Sequence, residues 1–242
     1  MSDVSDYEEY WRTVYQETYA SGKEFWRPEL ATPREFIEFL DSPQAPVPPA
    51  RVLEAGCSDG LNCVYLRRKG YTVTGVDISA EAVKRAEQLA RSERVDIEFL
   101  CMDLAAERLE RPEAYDWWVD IKTLHCLWED EARQAYLHNA FDSLEPGGIL
   151  FLNCALALAD VRDHFPDFFR TLDPAIQRDA DTLDRTLPRE GRSGIRCETL
   201  DWYCQECETA GFEIEHSERV VGKDSGWGVV IVARKPSDSA VE

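Results

Sequence analysis

A short glycine-containing stretch, EAGCSDG at residues 54–60, follows a run typical of a strand and precedes a helical pattern. Glycine lets a backbone approach a ligand or take a positive φ, and the first N–H groups of a following helix attract an anion. The glycines are Gly56 and Gly60, with Ser58 between them. The stretch therefore predicts either a loop that holds a nucleotide-like ligand or an ordinary tight turn.

Acidic residues follow the next two predicted strands. Asp77 lies at the end of the run YTVTGVDI, and Asp103 lies near the end of VDIEFLCMDL. Ligands of open parallel sheets bind outside the carboxyl ends of the strands, where these two carboxylates are expected. Spacing alone leaves a helix cap for Asp77 and a solvated turn for Asp103 as alternatives.

Strand and helix patterns alternate along most of the chain, which implies right-handed crossovers and a parallel sheet covered on both faces. The predicted strands are residues 51–56, 71–78, 95–104, 116–124 and 149–156, and the predicted helices between them are 61–69, 80–93 and 129–144, with a turn at 146–148. A helix at 200–210 precedes two strands, 212–222 and 227–235, which are expected to be antiparallel at the sheet edge. We predict an α/β fold with a doubly wound, mostly parallel, Rossmann-like sheet of seven strands.

The chain of 242 residues is expected to form one domain. We divide it into an N-terminal helical cap (1–45), a core that binds the ligand or cofactor (50–154), a helical lid insertion (155–198), and a C-terminal helix with edge strands (199–235). A proline-rich connector at residues 42–50 separates the cap from the core.

Composition limits the expected partners. A formal net charge of -20 repels phosphates, so nucleic acid and anionic membranes are poor partners. The longest nearly apolar run, residues 148–159, is too short to span a bilayer, and we see no signal-peptide pattern, so we expect a cytoplasmic protein. The eight cysteines are irregularly spaced with a single Cys-x-x-Cys pair, so we predict no metal site. A monomer and a homodimer both remain open.

Six stretches in order, RVLEAGCSDG, GVDIS, CMDL, YDWWVDIKTLHCL, LEPGGILFL and ETAGFEI, resemble the class I S-adenosylmethionine-dependent methyltransferases over residues 50–235. The N-terminal aromatic pattern is similar to small-molecule branches such as the thiopurine and tellurite-resistance types. A nicotinamide dehydrogenase is disfavoured, because Gly56 and Gly60 do not supply G-x-G-x-x-G. The resemblance implies methyl transfer from S-adenosylmethionine to a small-molecule acceptor with a sulfur, nitrogen or oxygen nucleophile.

The resemblance also implies roles for the residues that hold the cofactor. Glu54 would hold the ammonium of its methionine end, Asp77 the ribose hydroxyls, and Asp103 the amino group of adenine. The other predicted cofactor residues are Gly56, Ser58, Gly60, Asn62, Ile78, Leu104 and Lys122. The family pattern has a glycine where Ser58 stands, and we expect serine, a small residue, to be tolerated there.

Asp120 and His125, after the fourth strand, are the catalytic candidates. His125 is a base or a pocket wall, with a structural histidine as the alternative. Asp120 orients an amine or accepts a proton, with a contact to the cofactor or a contact behind the pocket as the alternative. The substrate-binding candidates are Tyr10, Trp11, Tyr15, Trp26, Arg27, His164 and Phe168, although such aromatics also form the hydrophobic faces of lid helices. Two other functions remain open, a non-catalytic module that binds S-adenosylmethionine or S-adenosylhomocysteine, and a protein methyltransferase.

Overall fold

The computed structural model describes residues 6–110, 112–178, 185–186, 195–222 and 226–237. An N-terminal helical segment comes first, with α1 (Asp6–Ala20), a 3-10 turn (Pro28–Leu30) and α2 (Arg34–Leu40). The segment between α1 and α2, which contains Gly22 and Pro28, forms only that short turn.

The core alternates strands and helices as predicted. Its strands are β1 (Arg51–Ala55), β2 (Thr72–Asp77), β3 (Glu98–Cys101), β4 (Tyr115–Ile121) and β5 (Leu144–Ala155), and its helices are α3 (Leu61–Arg68), α4 (Ala80–Glu93) and α5 (Asp130–Ser143). Ser79 caps α4 by accepting a hydrogen bond from the backbone N–H of Ala82. A 3-10 turn (Leu124–Cys126) follows β4.

The remaining elements are the insertion and the C-terminal edge. The insertion contains α6 (Leu158–His164), α7 (Pro166–Phe169), α8 (Pro174–Arg178), β6 (Arg185–Thr186) and β7 (Ile195–Arg196). The edge contains α9 (Leu200–Thr209), β8 (Glu213–Gly222) and β9 (Gly226–Arg234). Residues 179–184 and 187–194 of the predicted lid lie outside the described residues.

Within the described residues, the main sheet has seven strands in the order β3-β2-β1-β4-β5-β9-β8. The pairs from β3 to β5 are parallel, and the β5–β9 and β9–β8 pairs are antiparallel. The predicted doubly wound sheet with an antiparallel edge is therefore confirmed. β4 lies near its centre and is covered on both faces, because Trp117 and Trp118 are both fully buried and belong to different core clusters.

Two local features differ from the sequence expectations. The predicted turn at residues 146–148 lies inside β5, because the pairing with β4 changes register between Tyr115–Leu144 and Trp117–Ile149 and so accommodates the extra residues. The insertion also contains a short antiparallel pair, β6 with β7, which is too short to produce an alternating sequence pattern. No described helix combines the length and the apolarity that a membrane span requires.

Candidate functional site

A cleft of about 1030 Å³, its open mouth included, lies over the carboxyl ends of β1, β2, β3 and β4. Among the predicted cofactor residues, its walls contain Glu54, Gly56, Ser58, Asn62, Asp77, Ile78, Asp103, Leu104 and Lys122. Among the predicted substrate residues, they contain Trp11, Tyr15, Trp26 and Arg27. The structure therefore brings most of the predicted site to one crevice at the strand tips.

The loop after β1 needs glycine at two positions for different reasons. Gly56 has φ +67°, and a Cβ there would lie 2.1 Å from Oγ1 of Thr123. That hydroxyl donates a hydrogen bond to the Ala55 carbonyl at 2.9 Å. Gly60 has φ +79° and begins α3, and a Cβ there would lie 2.8 Å from Cβ of Ala86 on α4. Gly56 thus lets the loop pass the β4 turn, whereas Gly60 lets α3 approach α4 and does not line the cleft.

Ser58 takes the backbone conformation that glycine takes most easily. Its φ is +51°, in the left-handed region that costs a non-glycine residue roughly 1–2 kcal/mol. Its backbone N–H donates to Oδ2 of Asp77 at 2.9 Å. Ser58 therefore adopts the left-handed conformation, and its backbone N–H joins the loop after β1 to the carboxyl end of β2.

Asp77 is buried at the end of β2 with both carboxylate oxygens already bonded to backbone. Oδ2 accepts from the N–H of Ser58 and Oδ1 accepts from the N–H of Ser79, each at 2.9 Å. Burial raises the pKa of Asp77 to about 6. A carboxylate oxygen has more than one lone pair, so Asp77 fixes the loop and still has acceptor capacity toward the cleft.

Glu54 lies at the bottom of the same wall and is held by α3. Its oxygens accept from Nδ2 of Asn62 at 2.9 Å and from Sγ of Cys63 at 2.8 Å. Oδ1 of Asn62 in turn accepts from the backbone N–H of Thr32 at 2.6 Å, which joins the segment before α2 to the site. Burial raises the pKa of Glu54 to about 7, so a cation placed beside it would stabilise the ionised form.

The end of the cleft beside β3 combines apolar side chains with one carboxylate. Ile78, Met102 and Leu104 line this end together with Asp103. Oδ1 of Asp103 accepts from the backbone N–H of Ala105 at 2.9 Å, which fixes the turn after β3. Flat apolar walls with a single acid are suited to an aromatic ring that carries an amino group.

Asp120, a catalytic candidate, lies behind the cleft wall. It is fully buried, and its oxygens accept from the N–H groups of Thr123 and Leu124 at 2.8 and 2.9 Å and from the hydroxyl of Tyr136 at 2.7 Å. Burial raises the pKa of Asp120 to about 6. Its visible role is to fix the turn after β4.

His125, the second catalytic candidate, also lies outside the cleft wall. Its Nδ1 accepts from the backbone N–H of Ala155 at 3.5 Å. Burial, with the neighbouring Lys122 and Arg133 charges, holds the pKa of His125 well below its usual value. A histidine kept neutral in this way is a weak base.

Lys122 is the basic side chain that the turn after β4 brings into the cleft wall. Its backbone is left-handed, with φ +71°, and Nζ lies 3.4 Å from the carbonyl oxygen of Cys154. Burial lowers the pKa of Lys122. A Cβ at Gly228 would lie only 3.1 Å from Nζ of Lys122. The absence of a side chain at Gly228 therefore makes room for this ammonium.

An aromatic roof covers the cleft, and α1 carries most of it. Tyr7, Trp11 and Tyr15 of α1 line the cleft together with Trp26. The ring centroids of Trp11 and Trp26 are 5.4 Å apart, and those of Tyr15 and Trp26 are 5.8 Å apart. Tyr10 is outside the wall, and its ring packs edge-on against Trp11.

His164 and Phe168 of the insertion do not line the cleft. His164 pairs with Asp160, whose oxygens also accept from the N–H of Leu200 at 3.0 Å and from Nε of Arg219 at 2.9 Å. Phe168 packs against the hydrophobic core on the α5 and α9 side of the sheet. The described part of the insertion is thus fastened to the C-terminal elements.

Several residues of the wall were not among the predictions. Asp59 accepts from the Tyr19 hydroxyl and, at 2.5 Å, from the N–H of Trp26, and so anchors the roof. The acidic residue inside EAGCSDG was the available sequence signal for it. Tyr7 and Tyr136 lacked such a signal, because aromatic residues on amphipathic helices are usually core residues.

Residues 52–148 match the methyltransferase domain family. A ubiquinone biosynthesis O-methyltransferase of Xanthomonas campestris is 29% identical over 107 residues, which cover 44% of each chain. An uncharacterized methyltransferase of Schizosaccharomyces pombe is 35% identical over 77 residues, 31% of this chain and 52% of the relative. The chain thus spans about half the length, or less, of these relatives.

Solved structures resemble the chain over more of its length. A 1,6-didemethyltoxoflavin N1-methyltransferase of Burkholderia thailandensis, solved with its substrate and S-adenosylhomocysteine, has a TM-score of 0.63 at 20% identity and covers 98% of this chain and 92% of its own. A methyltransferase structure from Methanosarcina mazei has a TM-score of 0.64 at 21% identity, with coverages of 86% and 100%. At these identities the likeness concerns the fold.

The domain match identifies residues 52–148 as a methyltransferase domain, and the fold of most of the chain is that of solved S-adenosylmethionine-dependent methyltransferases. S-adenosylmethionine fits the cleft in the chemistry of its wall, where the buried carboxylates of Glu54 and Asp77 can accept hydrogen bonds from an ammonium and from hydroxyls. In the described part of the chain, we find no group of three or more His, Cys, Asp or Glu side chains arranged to hold a metal ion.

Proposed function

We propose that the protein transfers a methyl group from S-adenosylmethionine to a small-molecule acceptor with a sulfur, nitrogen or oxygen nucleophile. The observation that carries this proposal is the buried Asp77 carboxylate, bonded to the loop after β1, in the wall of a cleft at the carboxyl ends of parallel strands. The O-methyltransferase activity named for the Xanthomonas relative is consistent with a small acceptor.

We assign the cofactor residues by matching chemistry along the cleft. Glu54 holds the ammonium of the methionine end, the backbone at Gly56 lies along the same end, Asp77 accepts from the ribose hydroxyls, and Asp103 accepts from the adenine amino group. The bound cofactor supplies a methyl group on a positively charged sulfur, which is already activated for displacement. Lys122 contributes a donor in the wall near the turn after β4.

The acceptor side then has to align the nucleophile in line with the methyl group and exclude water. The aromatic roof and the apolar wall residues Cys126, Leu127 and Tyr136 suit both tasks. Asp120 supports them from behind by holding the turn that carries Thr123 and Leu124. We therefore assign Asp120 and His125 to positioning this segment, and an acceptor that is already nucleophilic needs no further base.

The direct test is methyl transfer from labelled S-adenosylmethionine to a panel of thiols, amines, phenols and carboxylates. We expect labelled product with at least one acceptor and its loss in Asp77→Asn. The matched control is Asp163→Asn, which makes the same change at an exposed acid of the insertion that pairs with Arg162. Cofactor binding without transfer to any acceptor contradicts the catalytic part, and failure to bind the cofactor contradicts the whole proposal.

A further inference from the structure

Arg133 of α5 is a fully buried cation that the mechanism above does not use. Its Nε donates a hydrogen bond to the Leu127 carbonyl, and its Nη2 donates to the Arg196 carbonyl. The guanidinium carbon lies 4.8 Å from the centre of the Trp202 ring on α9, and the guanidinium carbon of Arg196 lies 5.5 Å from the same ring. One rigid guanidinium therefore holds two backbone segments at fixed positions.

The two carbonyls belong to different parts of the molecule. Leu127 lines the cleft, whereas Arg196 lies in β7 of the insertion. Nη1 of Arg196 also donates to the Trp128 carbonyl at 3.2 Å and pairs with Asp130. The insertion is thus bonded to residues 127–130 at several points, and we call these four residues the junction.

The aromatic roof meets the junction as well. The backbone N–H groups of Trp128 and Glu129 donate to the Tyr7 hydroxyl at 3.1 and 3.2 Å. The ring centroids of Tyr7 and Trp128 are 3.9 Å apart. Because Tyr7 belongs to α1 and lines the cleft, the junction joins the roof to the insertion.

Resting on the proposed function, we propose that Arg133 is a positioning residue for the methyl acceptor, which fixes the junction between the roof and the insertion. The nucleophile must lie in line with the methyl group, and a displacement of about 1 Å can lower the rate roughly 100-fold. The hydrogen bonds of Glu54 and Asp77 run instead to α3, to the loop after β1 and to the start of α4. Loss of Arg133 therefore impairs use of the acceptor and leaves cofactor binding intact.

The test is Arg133→Met, which removes every donor and keeps an unbranched side chain. Arg133→Lys keeps the charge and can still donate to one of the two carbonyls. The matched control is Arg108→Met, the same change at an exposed arginine that pairs with Asp142 at 3.0 Å. The probes are labelled S-adenosylmethionine with the acceptor that gives product in the panel of thiols, amines, phenols and carboxylates, and S-adenosylhomocysteine for calorimetry.

We expect kcat/KM for the acceptor to fall about 10-fold to 100-fold in Arg133→Met, by less in Arg133→Lys, and not in the control. The affinity for S-adenosylhomocysteine should stay within about threefold in all three variants, since the cofactor residues share no partner with Arg133. A loss of this affinity as large as the loss of kcat/KM, or an unchanged kcat/KM in Arg133→Met, would overturn the inference.

Tyr7→Phe distinguishes positioning through the junction from general support of the fold. It removes the hydroxyl that accepts the two N–H groups of the junction. If both side chains act through the junction, the double variant with Arg133→Met should lose less kcat/KM than the product of the two single losses, by about threefold or more. Losses that simply multiply would contradict this coupling.

Amide hydrogen exchange tests the junction without an acceptor. We expect Arg133→Met to speed exchange at the N–H groups of Trp128 and Glu129, whereas those of β1 and β2 change little. A uniform rise along the chain would make Arg133 an ordinary stabilising residue and overturn the inference. If the wild-type protein methylates no acceptor, the proposed function fails and the acceptor role of Arg133 with it, and the exchange result alone decides whether Arg133 holds the junction.

Discussion

Asp77 and Asp120 lie at the carboxyl ends of two parallel strands on either side of β1, and their local chemistry is nearly the same. Each is buried, each accepts two backbone N–H groups from the loop that follows or adjoins it, and burial raises the pKa of each to about 6. The difference is access. Asp77 lines the cleft, whereas the Tyr136 hydroxyl covers Asp120.

The comparison separates two tasks that a buried carboxylate performs at a strand tip. In the cofactor half, Asp77 both organises a loop and presents acceptor capacity to a ligand. In the acceptor half, Asp120 organises the turn after β4, and its third hydrogen bond is accepted from Tyr136 of the protein and not from a ligand. The acceptor half therefore presents mainly aromatic and apolar walls, and the cofactor half presents charged ones.

Gly56→Ala should have the largest effect, because it breaks the contact between the two halves at Gly56 and Thr123. A left-handed alanine costs about 1–2 kcal/mol, and overpacking adds about 1–3 kcal/mol, so we expect a loss of about 2–5 kcal/mol in unfolding free energy. Chemical denaturation measures it. Gly147→Ala is the control, with φ +84° and open space around it, and should lose only the backbone part. Equal losses in the two variants would show that the close approach of Gly56 to Thr123 does not require glycine.

Asp77→Asn should weaken ligand binding, whereas the same change at Asp120 should not, because only Asp77 lines the cleft. Loss of charge-assisted hydrogen bonds of about 1.5–3 kcal/mol should weaken S-adenosylhomocysteine binding by about 10-fold to 100-fold. Asp120→Asn, the matched change, should leave that affinity within about threefold. Calorimetry of both variants measures this, and similar losses of affinity would remove the distinction between the two acids.

Asp120→Asn should instead reduce stability. The amide NH₂ replaces one acceptor oxygen in a fully buried site that receives three donors, so at least one of them loses its partner. We expect a loss of about 1–3 kcal/mol in unfolding free energy, measured by denaturation. A variant as stable as the wild type would show that the turn after β4 does not depend on Asp120.

The pH dependence of cofactor binding should report Glu54. Its pKa is raised to about 7 in the free protein, so the carboxylate takes up a proton as the pH falls through 7 and no longer attracts the cofactor ammonium. The affinity for S-adenosylhomocysteine should fall by up to about tenfold between pH 8 and pH 6 and change little above pH 8. In Glu54→Gln this dependence should shrink, whereas an unchanged profile would exclude Glu54.

Ser58→Gly should have the smallest effect. Glycine relieves the left-handed strain at φ +51° but gains more freedom in the unfolded chain, so the two changes nearly cancel. We expect less than about 1 kcal/mol change in unfolding free energy and an affinity within about threefold. Ser58→Val, with a branched Cβ, should be clearly less stable. Equal stability of the glycine and valine variants would show that this conformation is unimportant.

The sequence predicted the sheet, its antiparallel edge and most of the cofactor half, because these depend on local patterns that repeat in order along the chain. Glu54, Gly56 and Asp77 stand directly at strand ends, where position alone brings them to the cleft. The sequence left open whether Asp120 and His125 face the cleft or are turned inward. That outcome depends on their partners Tyr136 and Ala155, which are 16 and 30 residues away along the chain.

The roof shows the same limit. Trp11 and Tyr15 were predicted, but helical spacing does not show which aromatic of α1 faces the cleft, so Tyr10 was included and Tyr7 was not. His164 was grouped with the acceptor site, yet its partner Asp160 is one helical turn earlier and ties it to Arg219. These contacts join elements that are distant in sequence, and a local pattern carries no information on them.

The most direct measurement of the central claim is a crystal structure of the protein with S-adenosylhomocysteine. Our account predicts the ribose hydroxyls within about 3 Å of the Asp77 carboxylate and the methionine end of the ligand beside Gly56 and Glu54. A ribose bound away from Asp77, or a cleft that does not admit the ligand, would contradict it.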